Sequence, residues 1–262
     1  MSTAIAPRPA LAPLVAEATF IKRSLIHTLR TPDVIVMAIA LPVVLMLLFT
    51  FVFGGALEED GSYVNYVVPG IILLCAGFGA SSVATDVAND MTAGIIDRFR
   101  TMPLRASAVI TGHVVASLLR NLVATLVVIG VALAVGFRPT ATPVEWALML
   151  GLVAVYILAI TYLFAAIGLA SSSPEAAAGY GFILMFLPYL SSAFVPVDTM
   201  PEWLQWVARH QPLTPIIETI RGLLMGTEIG DAGWLALGWC GIILAVAIVW
   251  TSRVFRAKAG RR

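Results

Sequence analysis

The stretch Asp97-Arg98-Phe99-Arg100-Thr101-Met102-Pro103-Leu104-Arg105 is a charged island in an otherwise apolar chain. Long apolar runs, 64–84 and 114–137, flank it on both sides, so the island must lie in water between two membrane crossings. Its own apolar residues Ile95, Ile96, Phe99 and Met102 recur at i, i+1, i+4 and i+7, while Asp97, Arg98, Arg100 and Thr101 face away. That spacing predicts a short amphipathic helix opened after Gly94 and closed before Pro103. Two readings of such a helix stand side by side. It is a solvated loop whose arginines fix topology, or it is a protein contact in which Phe99 and Met102 fill a pocket and Arg98 and Arg100 make charge-assisted hydrogen bonds.

Working outward, the composition gives the class. With 60% hydrophobic and 12% charged residues and a mean hydropathy of +0.94, the chain cannot be arranged as a soluble globule. About 20 apolar residues are needed to cross a hydrocarbon core of ~30 Å as a helix. Six runs meet that length: 34–53, 64–84, 114–137, 146–170, 177–195 and 232–254. They are too long and too continuously apolar for barrel strands, so an all-α polytopic membrane protein with six transmembrane helices is expected. The segment 1–33 reads as a cytoplasmic leader, 34–254 as the membrane domain and 255–262 as a basic tail. No small-residue cleavage site follows the first run, and a cleaved signal peptide is not expected.

Basic residues sort by side. Arg8, Lys22, Arg23 and Arg30 precede the first run, Arg98, Arg100 and Arg105 lie in the island, and five more follow from Arg253 onward. Only Arg138, Arg209 and Arg221 fall on the other side, with Arg120 inside a run. The positive-inside rule therefore places both termini and the island in the cytoplasm. A net charge of +1 conceals this sorting and points to no nucleic-acid partner.

Chemistry-bearing motifs are few. Cys75 and Cys240 lie in apolar runs and read as small core residues. His27, His113 and His210 are scattered, and no cluster has metal-ligand spacing. There is no G-x-S-x-G elbow and no G-x-x-x-x-G-K-[ST] loop; Lys22 and Lys258 are the sole lysines, and neither follows a glycine. Any ATP that drives this chain binds elsewhere. No Asp or Glu lies deep within the six runs, which disfavours an ion-coupled carrier.

Two flanking regions add detail. Leu14, Ala18, Ile21, Leu25 and Leu29 share one helical face, predicting an amphipathic helix in the membrane interface before Thr31-Pro32-Asp33 breaks it. After the fifth run, Pro196, Pro201 and Trp203 open a region that leaves the membrane without becoming polar. Pro201 suits a helix first turn, with Asp198 and Thr199 as cap candidates, and a second helix carries Ile216, Ile217, Ile220, Leu223 and Leu224. Glu218 and Arg221 stand three apart on its polar side, close enough to pair. Both helices are too short to span, so a shallow extracellular hairpin re-entering the outer leaflet is expected.

The run Asp90-Met91-Thr92-Ala93-Gly94-Ile95-Ile96-Asp97-Arg98-Phe99-Arg100-Thr101-Met102-Pro103, followed by Arg120-Asn121, resembles the membrane subunits of ABC-2 type exporters. Ala193-Phe194-Val195-Pro196 and Pro212-Leu213-Thr214-Pro215 are similar to that family's re-entrant region, and the likeness is greatest to the permeases of daunorubicin-resistance drug exporters. The resemblance implies a bacterial plasma-membrane permease that works as a dimer, with a second copy or a paralogue. Separate ABC ATP-binding subunits would carry ATP and Mg, leaving no cofactor on this chain and no bond chemistry of its own. It further implies that 14–29 is an interfacial elbow and that Ile95, Asp97, Arg98, Phe99, Arg100, Met102 and Pro103 belong to a coupling helix seated in the ATPase. Many relatives have Gly-Thr-x-Glu in this loop, whereas Gly94 is followed by Ile95-Ile96-Asp97.

Within the spans, Arg120 lies about 10 Å into the third and must snorkel or find a partner. Asn121 beside it reads as an interhelical hydrogen-bond donor. Pro42, Pro69 and Pro188 should locally break the hydrogen-bond ladder. Gly77, Gly79, Ala80 and Ser81, and Ala165, Ala166, Gly168 and Ala170, allow close helix approach. A largely apolar lining suits a hydrophobic or amphipathic substrate, with an exported glycan or glycolipid as the alternative in the same family.

Overall fold

The computed structural model describes residues 32–54, 63–93 and 107–259. All regular structure among the described residues is helical, with eight α-helices. The expected elbow helix at 14–29 and the island at 94–106 lie outside them.

The first helix, α1 (Pro32–Leu47), continues through a π-helical turn at Leu48–Phe53 and coincides with the first expected run. Helix α2 (Tyr63–Thr92) has 30 residues, about 45 Å at 1.5 Å per residue, and outlasts a hydrocarbon core of ~30 Å. Its apolar residues are buried on all sides rather than along one stripe, the mark of a helix inside a bundle. It packs against α1, α3 (Ser107–Val135), α4 (Pro143–Ala170), α5 (Pro174–Leu184) and α7 (Leu213–Met225). The last helix, α8 (Ala232–Ala259), leans on α4 and α7 at the margin of the bundle.

Helix starts follow local chemistry. Thr142 caps α4 by accepting from the Glu145 N–H, and Glu145 reaches back to the Thr142 N–H at 2.6 Å. This capping box with Pro143 at the first turn satisfies two otherwise orphaned donors. Ser173 caps α5 in the same way through the Ala176 N–H at 3.2 Å. At the other end of α7, Gly226 takes φ 71°, a left-handed terminus that suits a residue without Cβ.

Among the described residues, four helices are long and apolar enough to cross a membrane: Tyr63–Thr92, Ile110–Val135, Pro143–Ala170 and Ala232–Phe255. They contain the second, third, fourth and sixth expected runs almost entirely. The fifth run, 177–195, is not one helix. Its α-helical part ends at Leu184, and a 3-10 turn follows at Leu187–Leu190. Pro188 explains the break, because a proline ring clashes with the carbonyl four residues earlier, here that of Leu184, and donates no hydrogen bond. Pro42 and Pro69, by contrast, sit inside continuous helices.

The region after the fifth run forms the expected pair of short helices, α6 (Glu202–His210) and α7. Asp198 and Thr199 do not cap α6. Asp198 instead pairs with Arg209 in the last turn at 2.5 Å, and Thr199 donates to the Pro196 carbonyl at 2.7 Å. Cys75 and Cys240 are buried free thiols.

Candidate functional site

Two polar regions stand out, one at each end of α2. At the end leading into the island, Asp90, Asp86, Ser82 and Gly79 recur four, four and three residues apart, so they share one face of α2. Opposite them on α3 lie His113, Ser117, Arg120 and Asn121. The His113 Nε2 and the Asp90 Oδ2 are 2.9 Å apart, and the two side chains are only 18% and 13% exposed. Two turns further along α3, the Arg120 guanidinium donates to the Gly79 carbonyl at 2.9 Å and the Ser82 hydroxyl at 2.6 Å. Asp86 supplies an opposite charge nearby. Arg120 thus finds partners on the neighbouring helix instead of reaching for water. Around these contacts Val83 and Val87 of α2 share an apolar cluster with Ile110 and Val114 of α3 and with Ala165 and Leu169 of α4.

Asn121 behaves differently from expectation. Its amide donates to the Ser117 hydroxyl at 3.0 Å, within α3 rather than between helices. The side chain is fully buried against Gly79, where a Cβ would overlap its amide oxygen, and that oxygen has no hydrogen-bond partner. Gly79 is therefore a point of close approach. Gly168 is another, facing the backbone of Ala84 across the α2–α4 crossing.

At the opposite end of α2, side chains grip the irregular segment 190–194. Three of its backbone carbonyls accept hydrogen bonds from side chains of other elements. Tyr63 donates to the Phe194 carbonyl at 2.7 Å, Tyr66 to the Ser192 carbonyl at 3.1 Å, and Gln211 to the Leu190 carbonyl at 2.8 Å. Arg221 donates to the carbonyls of Ser192 at 2.7 Å and Tyr66 at 3.2 Å, and its guanidinium carbon lies 4.0 Å from the Tyr66 ring centre. Gly70 touches Ala193 so closely that a Cβ would fall 2.8 Å from the Ala193 Cα. The expected Glu218–Arg221 pair survives as an attraction between opposite charges, without a direct ion-pair contact. Glu218 is exposed while Arg221 turns to the two carbonyls. Pro196 ends the gripped segment in an extended conformation, and Trp203 on α6 is 73% exposed.

Residues 17–225 match the ABC-2 type transporter family. The chain belongs to that family. Over 255 residues it is 28% identical to the daunorubicin resistance ABC transporter permease protein DrrB1 of Streptomyces coeruleorubidus, covering 96% of this chain and 90% of the relative. It is 26% identical over 216 residues to the "Probable doxorubicin resistance ABC transporter permease protein DrrC" of Mycobacterium tuberculosis, covering 81% and 78%. The recurring description among these relatives is that of a permease.

Of the residues singled out from sequence, the structure brings Arg120 and Asn121 into the α2–α3 seam near the island and Arg221 into the contacts at the other end of α2. Ile95, Asp97, Arg98, Phe99, Arg100, Met102 and Pro103 lie outside the described residues. Asp90, His113, Ser82 and Tyr66 were not singled out. The available signal was the spacing 79, 82, 86, 90, which a span boundary drawn at residue 84 cuts in two.

Proposed function

We propose that this chain is the membrane-spanning permease subunit of an ATP-driven exporter of hydrophobic or amphipathic compounds, powered by a separate ATP-binding subunit. The observation that carries this reading is similarity along almost the whole chain, 96% of it, to a drug-resistance permease. Six crossings complete the membrane domain in this reading, adding α1 with its π-helical turn and a broken fifth crossing built on α5 to the four long helices. Both termini and the island 94–106 face the cytoplasm of a bacterial cell, and α6 and α7 form the re-entrant hairpin at the outer leaflet.

The mechanism is a bias between two conformations, because a transport subunit without a nucleotide site is driven only by differential stabilisation from its partner. ATP drawing the ATPases together pushes the island helix, and α2 and α3, which it joins, carry the displacement into the bundle. The exposed apolar faces of α1 and α5, with Phe51, Val52, Phe182 and Ile183, leave room for a second permease copy and for lipid.

The test is co-purification and transport. The purified chain alone should hydrolyse no ATP and should be isolated with an ATP-binding subunit. Phe99→Asp or Arg98→Glu should abolish that association. Normal association and transport in both variants would remove the coupling role from 94–102, and transport by the permease alone on an ion gradient would replace the whole reading.

A further inference from the structure

The Asp90–His113 contact stands where α2 ends and α3 begins, three residues before Ala93 and six after Ser107, on either side of the loop 94–106. Seven residues along α3, about 10 Å, Arg120 makes the second polar contact to Gly79 and Ser82. The apolar side chains around these rungs, Val83, Val87, Ile110 and Val114, have no directional preference and gain little in lipid from meeting each other rather than lipid tails. Polar contacts do have direction, and their best attested structural use is fixing register. Two of them separated along a pair of rods oppose both splaying and axial sliding.

We propose that Asp90 and His113 are positioning residues for transport: they clamp the inner ends of α2 and α3 so that a push delivered at the loop moves both helices as one lever. This rests on the reading of 94–106 as the contact for the ATP-binding subunit. Without the clamp, the loop's movement is spent in parting the two helix ends, and the Arg120 rung becomes a pivot instead of a second fixed point. ATP is then hydrolysed with little movement of the bundle. The clamp also assigns a use to a mostly buried polar pair that topology alone does not require.

The experiment uses the full chain with its ATP-binding subunit, in inside-out vesicles, with doxorubicin as the transported probe. His113→Ala and Asp90→Ala should each lower ATP-dependent uptake at least tenfold while ATP hydrolysis by the assembled complex stays within about threefold of the parent. His113→Gln keeps an N–H donor within reach of Asp90 and should retain at least a third of the uptake. The decisive variant carries Asp90→Cys and His113→Cys in a background of Cys75→Ser and Cys240→Ser. Unlinked, it should behave like the alanine variants; joined by a short bis-methanethiosulfonate, it should recover at least half of the background's uptake. An alanine variant that transports normally would overturn the clamp. So would a linked protein that assembles and hydrolyses ATP but stays inactive, because the helices would then have to part at this level. Parent vesicles in which uptake needs no ATP-binding subunit would instead overturn the underlying reading, and the clamp's role with it.

Discussion

Two glycines on α4 meet opposite surroundings, and replacing each by alanine separates helix propensity from helix packing. At Gly168 an added Cβ would overlap the Ala84 carbonyl oxygen and come within 3.1 Å of the Ala84 carbonyl carbon and Cα. Carbon atoms prefer roughly 3.5–4.0 Å, and the obstacle is backbone of the central helix, so no side chain can swing away. Relief requires α2 and α4 to separate by about half an ångström or more. A gap of ~0.5–1 Å forfeits a quarter to a half of each dispersion contact it opens, and overpacking of this kind costs about 1–3 kcal/mol. At Gly151 nothing lies within 4 Å of the added atom. That variant gains only the helix preference of alanine over glycine, roughly 0.5–1 kcal/mol. Because both substitutions share that gain, their difference isolates the packing cost. The assay is thermal unfolding of the purified chain in lipid nanodiscs. At ~2–4 °C per kcal/mol for a chain of this size, Gly168→Ala should melt roughly 2–12 °C below Gly151→Ala. A Gly168→Ala midpoint equal to or above that of Gly151→Ala would refute the close approach of α2 and α4.

Three further outcomes follow from the polar contacts. Arg221→Met removes the donors to the Ser192 and Tyr66 carbonyls and should cost about 1–3 kcal/mol, read as a lower thermal midpoint and faster proteolysis within 190–212; Arg221→Lys should recover only part, lacking the planar fork. Gly79→Ala should destabilise by forcing its Cβ into the Asn121 amide, and Asn121→Ala should largely rescue it, because the Asn121 oxygen is buried without a partner; additive losses in the double variant would show that the two residues do not touch. Thr142→Ala should cost roughly 0.5–2 kcal/mol through loss of the α4 cap, measured by the same thermal midpoint. Glu145→Gln should cost less, since its amide oxygen still accepts from the Thr142 N–H.

Hydropathy makes the long helices legible because a lipid-facing backbone has no alternative to helix, and the runs at 64–84, 114–137, 146–170 and 232–254 all fall on long helices. The same signal misplaces helix ends. It stops at residue 84, although α2 continues to Thr92 through Asp86 and Asp90, which meet Arg120 and His113 of the neighbouring helix. It also merges α5 with the segment 185–195, since Pro188 and its surroundings remain apolar while the backbone ceases to be α-helical. For Arg221 the sequence offers Glu218 at the right spacing, but the better acceptors are carbonyls of 66 and 192, distant in the chain. Partner choice of this kind depends on tertiary contacts that no local pattern encodes. Asn121 shows the converse, since its actual partner Ser117 stands four residues away and was readable as an i, i+4 pair.

Both polar regions grip the same helix, and this bears on how a signal could cross the bundle. Asp90, Ser82 and Gly79 tie the inner half of α2 to α3, while Tyr63, Tyr66 and Gly70 tie its outer end to 190–194 and α7. Helix α2 is α-helical from Tyr63 to Thr92, lacking the one hydrogen bond that Pro69 cannot donate. Gly70 lies against Ala193 with no room for a Cβ, and Tyr63 and Tyr66 donate to the carbonyls of Phe194 and Ser192. In the proposed mechanism, displacement applied at the loop end of α2 is carried along this helix to 190–194. In that mechanism α2 is the shaft, and the Asp90–His113 contact is the joint nearest the push.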